Sequence, residues 1–230
     1  MGFDPIYLVI MGISMLASKF VGSRLKSVMS KYSQVGLSSG LSGKDIAEKM
    51  LSDNGIHDVE VISVRGQLTD HYNPKNKTVN LSELVYNERS ITAAAVAAHE
   101  VGHAIQHATA YPALQMRSNL VPLVNFSSKF LQFVLLIGFM MAASGNVIPL
   151  GIAIVLFAVT TLFAFITLPV EYDASNRAMA WLDNAGITRG EETAMAKDGL
   201  KWAARTYLVA AMASFGQLMY FVMIFMRSRD

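Results

Sequence analysis

Three of the chain's five histidines fall within nine residues, in the run His99-Glu100-Val101-Gly102-His103 followed by His107. His99 and His103 are four apart in an alanine-dense stretch that reads as a helix from Ile91 to about Ala108, so their imidazoles leave one face about a turn apart. Two such rings can converge on a single Zn²⁺ through nitrogens at ~2.0–2.1 Å. Glu100 lies about 100° further around the helix, beside such an ion rather than on it. From there its carboxylate can take a proton from an attacking water and pass it to a leaving amine, which is general-base peptide hydrolysis. The metal would acidify that water and polarise the scissile carbonyl. With 5 His and 8 Glu in 230 residues, His-Glu-x-x-His arises by chance only roughly once in about 300 such chains, so the motif outweighs a reading as packing histidines.

A catalytic zinc takes three protein ligands and keeps one position for water. A metzincin arrangement would need Gly at 106 and His at 109, where this chain has Gln106 and Thr109. His107 is turned about 80° from His99 and lies two turns along, which suits a supporting or packing histidine better than a ligand. Glu171 is the better third ligand: it follows Pro169 at the end of an apolar stretch, where an acid is costly without a partner. Asp173 is the runner-up, or, with Arg177, a group that orients a histidine. Gly102 costs a helix interior about 1 kcal/mol relative to Ala, so another element is expected to approach it closely.

The elements that must position these residues follow from composition. The chain is 53% hydrophobic and 16% charged, with a mean hydropathy of +0.37, more apolar than a soluble fold can hide. It has no cysteine, so disulfides, thiolate metal sites and thiol nucleophiles are excluded. A net charge of +2 gives no sign of a nucleic-acid partner. Four apolar stretches approach the roughly 20 residues needed to span a bilayer: residues 3–20, about 121–143, 147–168 and 207–226. The first is expected to be a retained anchor, since it lacks the basic start and cleavage site of a signal peptide. With a hairpin between the second and third, residues 21–120 and 169–206 share one side. Counting Lys19 and Lys129 near the ends of the adjoining spans, that side holds 17 of the 19 basic residues, which places it in the cytoplasm.

Within the first polar segment, residues 22–35 read as a surface helix or linker. Ser42 is placed to cap a helix from Gly43 to Asp53. Val59–Val64, Gln67–Tyr72 and Lys77–Leu81 then read as a small antiparallel sheet, separated by Gly66 and Asn73-Pro74-Lys75-Asn76. An edge over residues 67–81 could bind substrate as an added strand. His71 and Tyr72 on that edge could donate a hydrogen bond to the oxyanion; alternatively Asp70 and Asn73 merely shape a turn.

At these residues the chain resembles the neutral zinc metallopeptidases of bacterial membranes, a group similar to HtpX-type and CAAX prenyl proteases. The resemblance covers nearly the whole chain, through Gly40-Leu41-Ser42-Gly43, Asp70-His71-Tyr72-Asn73-Pro74, the histidine run, and Glu171-Tyr172-Asp173-Ala174-Ser175. It implies His99, His103 and Glu171 as ligands of one zinc per chain. Ser175 stands where the wider class has an Asp, whose supporting role is then lost, taken by the hydroxyl, or moved to Asp173.

The expected architecture is a mainly α membrane protein with about four transmembrane helices and a zincin-like domain. Its segments are an anchor (3–20), a catalytic segment (21–120), a transmembrane hairpin (121–168), a segment supplying the third ligand (169–206) and a last span (207–226). The expected function is a multi-pass plasma-membrane zinc endopeptidase with Glu100 as base and His71 as a candidate catalytic donor. It would act on proteins or peptides at the bilayer, with a membrane adaptor or self-association as further partners. Two alternatives stand beside it. A site-2-type intramembrane protease would need an Asp-Gly segment that Leu182-Asp183-Asn184 lacks; a silent zinc-containing scaffold would not need an intact Glu100.

Overall fold

The structure, a computed structural model, describes residues 4–228. Met1, Gly2 and Phe3, where the first span is expected to start, lie outside the described residues, as do Arg229 and Asp230. The elements in chain order are α1 (Pro5–Ser33), α2 (Gly43–Asp53), β1 (Glu60–Val64), β2 (His71–Asn73), β3 (Thr78–Ser82), α3 (Glu83–Asn87), α4 (Ile91–Ala108), α5 (Pro112–Ala142), α6 (Ile148–Asn184) and α7 (Glu191–Arg227). They make a mainly α membrane protein with two compact units. One comprises the described residues up to Phe20, Met116–Leu168 and those from Thr206; the other comprises Val21–Gln115 and Pro169–Arg205.

The first unit holds the apolar parts of α1, α5, α6 and α7. Among the described residues these four helices, 29, 31, 37 and 37 residues long, are long and apolar enough to cross a membrane. Even the shortest reaches about 40 Å at 1.5 Å per residue, more than a ~30 Å hydrocarbon core. Leu16, Phe133, Met140 and Ile148 are at least 66% exposed, as side chains facing lipid would be. Small and hydroxylated residues make the helix contacts: a Cβ on Gly138 would meet Leu150 Cα at 2.8 Å, and the Thr161 and Ser214 hydroxyls are hydrogen-bonded at 2.7 Å. Gly145, at φ +88°, makes the turn between α5 and α6.

In the second unit α4 is the central element. Ala93, Ala94, Ala95, Ala97, Ala98 and Ala104 are all at most 1% exposed. A helix buried on nearly all sides needs small side chains for its neighbours to pack close. Ser90 caps it, accepting the Ala93 N–H at 3.2 Å. Ser42 and Asp45 form a reciprocal capping box on α2, whose Ile46, Ala47 and Met50 are fully buried in the same core as Val79, Leu81 and Leu182. Gly102 permits a close approach to α6: a Cβ there would meet the backbone oxygen of Ala174 at 2.6 Å. Gly102→Val should therefore destabilise the protein by about 2 kcal/mol through overpacking, read as a lower thermal midpoint in detergent.

The sheet corrects the expectation of an antiparallel arrangement: it is mixed, ordered β1-β3-β2. β1 runs parallel to β3, with Glu60 opposite Thr78, and β2 runs antiparallel to β3, with Tyr72 opposite Val79. β3, in the middle, is the most buried strand, with Val79 and Leu81 fully buried. The chain leaving β1 therefore crosses the end of β3 to reach β2. That crossing uses residues 67–70 as loop rather than strand, with positive φ at Gly66 and Leu68. Asp70 secures it by accepting the Ser82 N–H at 2.7 Å. Elsewhere residues 22–33 continue α1 in one helix, and Pro112 opens α5, where a missing N–H costs nothing.

Candidate metal centre

One turn of α4 presents His99 and His103 with ring centroids 4.8 Å apart and planes at 84°. α6 brings Glu171 to them, its Oε2 lying 3.3 Å from His99 Nε2 and 3.6 Å from His103 Nε2. The three ligand atoms lie within 4.8 Å of one another. Donors bound tetrahedrally at ~2.0–2.1 Å are separated by ~3.3–3.4 Å, so the spacing and the chemistry of the set suit one zinc ion. Burial alone would raise the Glu171 pKa, but His103 and His99 outweigh it and hold the carboxyl well below the usual range. Burial alone would lower His103, yet Glu171, Glu100 and Gln106 raise it above the ordinary histidine value.

The far nitrogens of both imidazoles are engaged. His99 Nδ1 lies 3.1 Å from Ser175 Oγ, so the hydroxyl at the position where the resemblance implies an Asp still reaches a histidine. His103 Nδ1 lies 3.0 Å from Gln106 Oε1. The Gln106 amide donates in turn to the Val170 carbonyl and to Asp173 Oδ2, each at 2.8 Å, and Asp173 is paired with Arg177. Hydrogen bonds of this kind fix ring orientation around metal sites.

Glu100 is buried beside the histidines, and its Oε2 accepts the backbone N–H of Tyr72 at 3.0 Å. Tyr72 sits on β2, an edge strand, so the sheet edge and the glutamate meet directly. The other singled-out residues are engaged elsewhere. His71 is exposed, with Nδ1 2.7 Å from the Thr69 carbonyl. His107 Nδ1 is 2.8 Å from the Tyr72 hydroxyl, and Asp173 faces Gln106 and Arg177. Sequence reasoning missed two contacts, the Tyr72 main-chain bond to Glu100 and Gln106, which had served only to exclude a metzincin. The spacing of Gln106, three after His103, was the available signal, since it puts both side chains on one helix face.

Paired helix-borne imidazoles and a buried glutamate, on a chain with four membrane-length helices, define a membrane protein of the metallopeptidase class. The chain belongs to the family described as "Putative neutral zinc metallopeptidase", whose model matches residues 7–226. It is similar to "Putative membrane protease YugP" of Bacillus subtilis (strain 168), being 46% identical over 207 residues that cover 90% of this chain and 91% of that protein. No solved structure matches the chain. Zinc is the metal of the family, and His99, His103 and Glu171 form a group able to hold one.

Proposed function

We propose that the chain is an integral-membrane endopeptidase that hydrolyses peptide bonds of proteins at or near the bilayer, with His99, His103 and Glu171 as zinc ligands and Glu100 as general base. The observation that carries this reading is the convergence of the three ligand atoms within 4.8 Å beside the buried Glu100. When bound, zinc supplies Lewis acidity, polarising a carbonyl oxygen and acidifying water. Glu100 takes the proton of the attacking water and returns it to the leaving amine. The Tyr72 N–H orients the Glu100 carboxylate, and the partners of both Nδ1 atoms keep the imidazoles aimed at Glu171.

The β2 edge supports substrate binding by strand addition, since a peptide laid along it would run beside Glu100. His71, the first residue of β2, has its Nδ1–H held by the Thr69 carbonyl, so it would donate to the developing oxyanion from Nε2 as the imidazolium. The basic bias of the segments between spans supports a cytoplasmic site in the plasma membrane. α4 is not among the four helices apolar enough to cross a membrane, which favours a site outside the lipid over a site-2-type arrangement.

Metal removal tests the reading. The purified full chain in detergent should carry about one zinc, lose peptide hydrolysis on chelation and regain it on adding zinc. Hydrolysis that persists at zero zinc content would overturn it.

A further inference from the structure

We propose that Gln106 is a positioning residue of this centre: its carboxamide holds His103 with the proton on Nδ1 and ties that setting to the helix carrying Glu171. The inference rests on the metal site proposed above and concerns what makes His103 a competent ligand.

Gln106 is fully buried, and a buried carboxamide must satisfy its polar atoms internally. Its Nε2 has two hydrogens, one directed to the Val170 carbonyl and one to Asp173 Oδ2. A carbonyl has no proton to offer, and Asp173, ion-paired with Arg177, presents a carboxylate. Both partners therefore accept only, which fixes the amide: turned over, its oxygen would face two acceptors. The Oε1 that remains faces His103 Nδ1 at 3.0 Å and can only accept. His103 must therefore donate from Nδ1. In a neutral imidazole the lone pair is then on Nε2, the atom 3.6 Å from Glu171 Oε2.

His99 provides the contrast. Its Nδ1 meets the Ser175 hydroxyl, which donates or accepts with equal ease and so selects no tautomer by itself. At His103 the selection is made by Gln106. The same side chain has a second effect, because its two acceptors, Val170 and Asp173, bracket Glu171 on α6. One amide thus registers the second histidine of α4 against the third ligand of α6, across the close approach that Gly102 permits.

The test measures zinc affinity of the full chain in detergent by competition with a chromophoric chelator, using zinc alone as the probe. Gln106→Leu should weaken zinc binding by about 10–100-fold, the usual effect of removing a partner of a ligating histidine. Gln106→Glu should be similarly weak, since the new carboxylate would face that of Asp173. Combining Gln106→Glu with Asp173→Asn should recover part of the lost affinity, because the new amide at 173 donates to the new carboxylate at 106, while the contact with the Val170 carbonyl stays unfavourable. Lost packing alone would not be rescued by exchanging donor for acceptor. The inference is overturned if Gln106→Leu binds zinc within about twofold of wild type, or if the double variant is no better than Gln106→Glu. Should Gln106→Leu fail to fold, the Glu/Asn comparison decides. A wild-type chain that takes up no zinc would defeat the underlying metal reading; normal wild-type uptake with unaffected variants would defeat only the role of Gln106.

Discussion

Glu100→Gln should lower kcat for peptide hydrolysis by about 10²–10⁴-fold, the range attributed to a positioned general base, while zinc content stays at about one per chain. The change is nearly isosteric, and the amide oxygen can still accept the Tyr72 N–H that the carboxylate now accepts at 3.0 Å. It removes the one property the mechanism uses, a basic oxygen that takes a proton from water and gives it up again. Glu100 is also outside the set of three ligand atoms, so metal retention separates a lost base from a lost site. Parallel measurement of hydrolysis and bound zinc checks both halves. Retained turnover would remove Glu100 as base, and loss of zinc would make it a ligand.

Glu171→Ala should weaken zinc binding by more than about 100-fold, beyond the range seen when only a ligand's partner is removed. The reason is geometric as well as electrostatic. Glu171 is 2% exposed and its Oε2 is the atom both imidazole Nε2 atoms approach. Without it two neutral histidines remain, with neither the anionic charge nor the third ligand that a catalytic zinc requires. Equilibrium dialysis followed by metal analysis reads this directly. Unaltered zinc content would shift the third ligand to Asp173 or His107, though the first is engaged by Gln106 and Arg177 and the second by Tyr72.

Local patterns in the sequence were sufficient where chemistry and structure share a short stretch. The limits of α4 follow from the Ser90 cap and the dense alanines, and its two histidines meet because four residues make about one turn. The proximity of Glu171 to them could be anticipated from the cost of a carboxylate at the end of an apolar span, although it lies 72 residues after His99. Gly102 announced a close neighbour without identifying it as α6. The sheet order was not legible, because three short strands of similar pattern leave parallel and antiparallel partners open until burial puts β3 in the middle. Gln106 was illegible for a related reason. A glutamine is chemically generic, and its meaning arises only when folding brings Val170 and Asp173 to its amide. Likewise the Tyr72 contact uses a main-chain N–H, which no side-chain motif encodes.

Cleavage of proteins at the membrane with Glu100 as base is tested by quantitative mass spectrometry of protein termini. Membranes from cells producing the wild type would be compared with membranes from cells producing Glu100→Gln at equal abundance. A set of membrane-associated proteins should stay full length with the variant, with matching new termini present only with the wild type. Identical termini and identical full-length levels in both would contradict it.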